Sequence, residues 1–569
     1  MIARSRWLHQ VSGQILAGVL AIGISFYGIG AATAADQPRI VNIYNFIRDN
    51  DFRVADSETV LFKATSAQVQ LLNEFHLPAT FAFQYDALMD TNYQKLFAGP
   101  TVTNFELAAW WEIPELLARK AGVPWRGHHE WDPAADVGFS PGYTPEERRK
   151  LVDVYMADFK SIFGFYPRTA GSWFIDEVTL AYMSEKYGLV ASCNCKDQIG
   201  TDGYTLWGGY WNQAYYPSRL NAYMPAQTEA GQINIPVFRM LGSDPIYQHG
   251  TTPGLYSLEP VYRDAGGSTN WVAWFMDALI HQPALAFGYT QAGQENSFGW
   301  DGMKQGLTQQ IRLFATEAKA GSIRVETLAQ SGQWFKDHFK LTPPTSVVVL
   351  DDWRHQNRKT IWYDSRYYRL NLIWQSNALF IRDLHCFDET VPSPTHETAL
   401  VGHTLAYTTL PIVDSASWRP PENRRIRYPA ALSLDGDGSH LALSGPPTVK
   451  ELNATDLSIQ QPLASGGMFS IVCFETQITF AGTDSHGKPL RWQWRLPGGI
   501  RRQSAIQSVT ANSINYRSKG KDYELRLPAD SGTCTQLDGG SVSLNPSASG
   551  QLIFTFETQA AKASANLGR

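Results

Sequence analysis

Residues 144–195, TPEERRKLVDVYMADFKSIFGFYPRTAGSWFIDEVTLAYMSEKYGLVASCNC, hold two consecutive copies of a helix-then-strand pattern. Thr144-Pro145-Glu146-Glu147 is a capping box with proline in the first turn, and Gly164 closes the helix it opens. A short β-rich run from Arg168 to Ile175 then delivers Asp176. The helix after Asp176 stops at Gly188, and the next strand runs from Leu189 to Cys195. Strands separated by helices on this spacing predict a parallel sheet with crossover helices.

The same alternation extends both ways. Upstream lie strands over 39–46, 79–85 and 103–109, the first followed by Arg48-Asp49-Asn50-Asp51 and the third by Trp110-Trp111-Glu112. Downstream lie a sixth strand over 235–241, ending on Gly242-Ser243-Asp244-Pro245, and a seventh over 284–289, followed by Gln291, Gln294, Glu295 and Asn296. A short run at 323–325 and a helix to Phe339 complete the series. Seven or eight such units predict an α/β fold, a (β/α)7–8 barrel over residues 36–342, with chemistry at the ends of its strands. Beyond Thr342-Pro343-Pro344-Thr345 the runs alternate without long helices, which predicts an antiparallel β-sandwich over 343–560 and a frayed tail over 561–569.

Residues 1–35 have the form of an export signal: Arg4 and Arg6, an apolar run from Ile15 to Gly30, then small residues ending in Ala34-Ala35. Cleavage there predicts a periplasmic or secreted protein that does not stay in the membrane. The chain has 48 Lys and Arg against 53 Asp and Glu, and loss of Arg4 and Arg6 makes it more acidic, which argues against nucleic acid as a partner. Of the five cysteines, Cys473 and Cys534 are candidates for a disulfide. Cys193 and Cys195 alternate on one strand and predict two buried thiols on one face.

Ala191–Ser218 places Tyr204, Trp207, Tyr210, Trp211, Tyr215 and Tyr216 among glycines and the polar Lys196, Asp197 and Asp202. Rings interleaved with polar groups suit a sugar, so the loop is read as ligand-facing, against the alternative of an aromatic core loop.

The runs FQYDALMD, FELAAWWEIP, GYTPEERRKLVDVYMADFK, GSWFID, FRMLGSDPI and GQENSFGW, with the 191–217 loop, make the chain similar to an uncharacterised family of exported bacterial proteins. That family resembles the glycoside hydrolase/polysaccharide deacetylase barrel superfamily. RVETLA, TPPTSV and RKTIWYDSRYYRLNL extend the likeness into the second region. The resemblance implies work on an oligo- or polysaccharide, by metal-dependent deacetylation or by hydrolysis with two carboxylates. Laid over FELAAWWEIP, the deacetylase metal histidines would fall on Trp110 and Pro114, which cannot ligate.

The expectation is therefore a hydrolase with neither metal nor cofactor. Glu295 is the candidate acid, desolvated by Phe298 and Trp300 among the amides of Gln291, Gln294 and Asn296. Asp176, where the resemblance implies a nucleophile, is the candidate partner, with helix capping as its other reading and Asp197 in reserve. Arg48, Asp49, Trp111, Glu112, Arg126, Trp173, Lys196, Asp202, Trp207, Trp211, Arg239, Asp244 and Gln291 are candidate substrate contacts. The competing readings are a deacetylase using His128 and His129, and a glycan-binding protein without turnover.

Overall fold

A computed structural model describes residues 37–99, 104–250, 255–418, 430–500 and 504–556; the export signal lies outside them. The first region is built on β1 (Arg39–Ile47), β2 (Ala79–Phe83), β3 (Phe105–Trp110), β4 (Thr169–Gly171) and β5 (Ala191–Asn194). After β5 come β6 (Gln198–Thr201), β7 (Tyr204–Trp207), β8 (Ala214–Tyr215) and the hairpin β9 (Pro217–Ser218) and β10 (Asn221–Pro225). β11 (Val237–Arg239), β12 (Gly288–Ala292) and β13 (Arg324–Glu326) complete the set.

The principal sheet runs β12-β1-β2-β3-β4-β5-β11-β8. Its strands are parallel except β8, which is antiparallel to β11, and β13 adds alongside the start of β1. The barrel is thus nearly closed rather than closed by a complete hydrogen-bond ladder. Side chains span the gap: Gln213 Nε2 donates to the Tyr289 carbonyl at 3.4 Å, and the Phe238 and Tyr289 rings lie 4.8 Å apart.

Helices α1 (Ser57–Glu74), α2 (Tyr85–Met89), α3 (Thr91–Phe97), α4 (Glu115–Lys120), α5 (Pro145–Phe163), α6 (Glu177–Tyr187), α7 (Thr269–His281), α8 (Gly299–Ala320) and α9 (Leu328–His338) accompany the strands. The capping box of α5 forms as the sequence predicts, with Thr144 and Glu147 reciprocally bonded and Gly164 left-handed at the far end.

Alternation along β1 sends Val41 and Ile43 outward to the helices and Ile40, Tyr44 and Phe46 inward. At the N-terminal end of the barrel Glu106 accepts from Thr80 Oγ1 (2.9 Å), Thr169 Oγ1 (2.5 Å) and the Ala329 amide (2.9 Å), so the start of α9 plugs that end. The middle is tight at Gly171, where a Cβ would meet the Tyr44 hydroxyl and Cys193 Sγ at 2.3 and 2.6 Å.

The seventh strand starts four residues later than its composition suggests. Ala284 and Leu285 are held by the second region instead, their amides bonding Glu451 at 2.9 Å, and the chain enters the barrel only at Gly288.

The second region is antiparallel. β14 (Thr345–Val349), β15 (Lys359–Asp364), β16 (Tyr368–Gln375) and β17 (Ala378–Cys386) begin a nine-stranded sheet, and Thr448–Thr555 contributes an eight-stranded one. Ile361, Leu370 and Ile381 of the first share one apolar core with Ile459, Ile471, Phe480 and Phe554 of the second. β18 (Leu405–Thr408) pairs instead with β7 in parallel, stitching the two regions together; β19 (Leu410–Asp414) returns to β17. All five cysteines are free thiols, so Cys473 and Cys534 are not joined. Among the described residues no helix is long and apolar enough to cross a membrane.

Candidate active site

Four buried polar side chains converge at the C-terminal end of the barrel. Arg48 continues the inward face of β1 by one more alternate position, as Gln84 does for β2 and Glu112 for β3, while Glu295 stands beyond β12. Arg48 grips Glu112 through two parallel bonds, Nε to Oε2 at 2.9 Å and Nη2 to Oε1 at 2.6 Å. Its remaining terminal nitrogen, Nη1, donates to Glu295, and Gln84 Nε2 donates to Glu112 at 2.6 Å. The guanidinium lies against the Trp131 ring, 4.1 Å from its centre.

Burial raises the pKa of Glu295; Arg48 opposes this, Glu112 reinforces it, and the net direction is upward. Burial also works against the charge on Arg48, but Glu112 and Glu295 outweigh it and keep the guanidinium firmly protonated. Glu295 is 7% exposed.

Below this layer is an aromatic floor. Phe46 stacks on Trp110 at 3.9 Å and 12°, and Trp173 meets both edge-on at 5.1 and 5.6 Å. Opposite Glu295, Lys196 beyond β5 bonds Glu259 at 2.8 Å, and Glu259 also accepts from Ser257 Oγ at 2.6 Å. Burial opposes the charge on Lys196, and Glu259 more than restores it. The hydroxyl of half-buried Tyr262 feels burial and then the fields of Glu259 and Glu295, all of which raise its pKa. Arg53 and Asp202 approach to 3.7 Å across the mouth, both partly exposed. Sequence reasoning passed over Glu259, Tyr262, Arg53, Trp131 and Trp110. The usable signal was SLEPVYRD after β11, another strand-end acidic cluster.

Several candidates lie elsewhere. Asp176 is fully buried; it caps α6 by accepting from the Thr179 amide (2.9 Å), and also binds Thr179 Oγ1 (2.6 Å), Ser140 Oγ (2.5 Å) and Arg148 Nη1 (3.0 Å). Burial alone would raise its pKa, but Arg148 and these donors bring it below the usual range. Its oxygens are committed to structure and it does not open on the cleft. Asp176→Asn is expected to destabilise the fold by about 3 kcal/mol, because it strands Arg148, while kcat of the folded enzyme stays within about twofold; denaturant melts paired with active-site-normalised rates check this.

Asp197 is likewise saturated, by Arg239 Nη2 (2.6 Å), Tyr223 Oη (2.5 Å), Arg369 Nη1 (2.5 Å) and the Gly208 amide (3.0 Å). It belongs with Arg239 to the contact between the two regions, not to the cleft. Asp244 is buried and holds the indole nitrogens of Trp271 (3.0 Å) and Trp353 (2.9 Å) and the amides of Ile246 and Tyr247 (both 2.8 Å). Trp111 points outward and packs edge-on against Tyr155 of α5 at 5.9 Å. Arg126 ties the carbonyls of Asp136 and Gly142. Gln291 sits inside the barrel, bonded to the Tyr289 hydroxyl at 3.3 Å.

The ring-rich loop is the largest correction. Tyr204, Trp207, Tyr210, Trp211, Tyr215 and Tyr216 are all buried. Trp211 stacks on Trp362 of β15 at 3.7 Å and 4°, and the Trp207 indole donates to Asp414 at 3.1 Å. The loop is the packing surface between barrel and β region. Nor does Phe298 shield Glu295, for it is 43% exposed, and Asn296 is spent bridging the Arg48 amide and carbonyl.

The residues do not fit the metal of a deacetylase. Trp110 is floor, His128 and His129 are exposed, and His129 stacks on Phe52 at 4.1 Å. Among the described residues no group of three or more His, Cys, Asp and Glu side chains is arranged to hold a metal ion.

Among solved structures, one named as a glycoside hydrolase/deacetylase from Parabacteroides distasonis matches 68% of this chain and 93% of its own with a TM-score of 0.52 and 14% identity. The two chains share a fold. A polysaccharide deacetylase from Mycobacterium smegmatis also aligns, over 55% of this chain and 95% of its own, at a TM-score of 0.35 and 12% identity. No family model and no curated protein matches the sequence.

Proposed function

We propose that this chain is an exported, metal-independent glycoside hydrolase whose barrel and β-sandwich follow the hydrolase branch of that fold. The observation that carries the reading is Glu295, a nearly buried carboxyl with a raised pKa at the C-terminal end of a barrel that also carries the buried Lys196–Glu259 pair and an aromatic floor. A carboxyl whose pKa burial raises holds its proton to higher pH and can donate it to a leaving glycosidic oxygen, the role this reading gives Glu295. The complementary carboxylate is Glu259, paired with Lys196 at 2.8 Å, in place of Asp176 and Asp197. Trp173, 9% exposed, offers its ring to the C–H face of a sugar. Asp202 and Arg53 guard the entrance, and Arg48 and Glu112 set the state of Glu295 without leaving it.

Digestion of a glycan library by the mature protein, with and without a chelator, tests this. New reducing ends in both conditions support it; release of acetate that a chelator abolishes and added metal restores would move the protein to the deacetylase branch. Glu259→Gln is expected to cut kcat by roughly 10²-fold or more with little change in KM, read by steady-state kinetics on whichever glycan is cleaved.

A further inference from the structure

Outside the candidate centre, the loops after β1, β2 and β3 line an open cavity of about 480 Å3 whose charged lining is Asp49, Asp86, Asp90, Glu115, Glu130 and Arg119. The lone guanidinium is committed: Arg119 bonds Glu115 at 2.6 Å. Asp90 is occupied in capping α3 through the amides of Asn92 and Tyr93 at 2.6 and 3.3 Å. Asp86 is different. It is 7% exposed, and its Oδ1 is buried with no hydrogen-bond donor.

A buried acceptor without a donor is unfavourable unless something else supplies one. Burial, then Asp49, Glu130 and Glu115, push its carboxyl up to about 8, and burial with Asp90 and Glu58 pushes Asp49 up to about 6. The wall therefore lacks a cation that also donates hydrogen bonds. A bare metal ion does not suit it, since no three carboxyls among the described residues converge closely enough to ligate one. An ammonium on a carbon skeleton does suit it: three divergent N–H groups reach separated carboxyls, while Met89 and Leu116 meet the C–H surface.

We propose that this cavity binds the protonated primary amine of an amino sugar that is not N-acylated. The ammonium half stands on the cavity alone; the sugar half rests on the hydrolase reading. Asp49 directly follows Arg48, Asp86 is two residues beyond Gln84, and Glu130 precedes Trp131, so the same loops carry cavity and centre.

Calorimetric titration of the mature protein with the β-1,4 disaccharide of glucosamine, its N,N′-diacetylated form, propylamine and calcium chloride tests the idea. The free-amine disaccharide is expected to bind at least tenfold more tightly than the acetylated one, with proton release as Asp86 ionises. Asp86→Asn should remove that preference, and Glu130→Gln, at an exposed position, should weaken it about threefold even if the first variant folds poorly. Equal affinity for the two disaccharides, or a preference untouched by both variants, overturns the proposal. Calcium displacing the amine with the same dependence on Asp86 overturns it in favour of a metal. Propylamine binding without either disaccharide removes the sugar half. Amine-selective binding with no glycan cleavage would leave the cavity standing and sink only the hydrolase reading.

Discussion

Glu295→Gln is expected to lower kcat on a cleaved glycan by roughly 10²–10⁴-fold, the range of a single general acid, while thermal unfolding moves little. The amide keeps the shape and can still accept from Arg48 Nη1, so the side chain stays in place and only the transferable proton is lost. The pH profile supplies a sharper check. A general acid works while protonated, so activity falls as pH rises through the pKa of Glu295, and the upward shift puts that limb above the ordinary carboxyl range. Glu112 contributes to the shift, and removing its charge also leaves Arg48 free to favour ionised Glu295. Glu112→Gln should therefore move the basic limb to lower pH. An unchanged limb in Glu112→Gln, or full activity in Glu295→Gln, would take Glu295 out of the mechanism.

How far the sequence led depends on which physical signal each residue carried. Helix α5 was legible to the residue because caps are local: Thr144, Pro145, Glu147 and Gly164 act on amides within one turn of themselves. Parallel strands were legible as a series but not in their limits, since β4 keeps only Thr169–Gly171 of a run predicted to be eight residues long. Glu295 was singled out as a strand-end acid, and it lies beside Arg48 at the C-terminal end of the barrel. Asp176 shares that position in its strand and has the opposite fate, decided by Arg148 and Ser140, from 28 and 36 residues away. Nothing local distinguishes the two. Both readings of Asp176 were open from the sequence, and its partners select the cap.

The aromatic loop failed for a related reason. Rings among polar residues mark a surface that excludes water from one side, and a domain contact does this as well as a sugar does. The deciding partner, Trp362, lies in a different region of the chain and 151 positions after Trp211, beyond the reach of periodicity. Lys196 and Asp197 are adjacent, so alternation sends them to opposite sides of the strand end: Lys196 to Glu259 in the cleft, Asp197 to Arg369 at the domain contact. A motif read as one charged pair is two half-sites facing different ways.

That domain contact carries the largest expected effect on stability. Arg369 of β16, fully buried, binds Asp383 through Nε at 2.8 Å and Nη2 at 2.7 Å, Asp197 through Nη1 at 2.5 Å and the Gly209 carbonyl at 2.9 Å. Trp207, Trp211 and Trp362 surround its guanidinium at 5.2–5.8 Å. Arg369→Leu would take the bidentate cation from buried Asp383, while Asp197 keeps Arg239, and stranding a buried charge costs about 3–5 kcal/mol. Burial alone would raise the pKa of Asp383, but Arg369 and then His385 hold it well below the carboxylate range. In the wild type this stabilisation is present above the unfolded pKa of roughly 4 and is lost as pH falls toward the folded value. In the variant the sign reverses at Asp383, because burial without Arg369 raises its carboxyl and protonation relieves it, while Asp197 keeps Arg239. The gap in unfolding free energy between wild type and Arg369→Leu should then be widest near pH 7 and narrow toward pH 4, as urea melts at several pH values would show. A loss below about 1 kcal/mol, or a gap independent of pH, would mean that the interlocked rings rather than the charges hold the β region to the barrel.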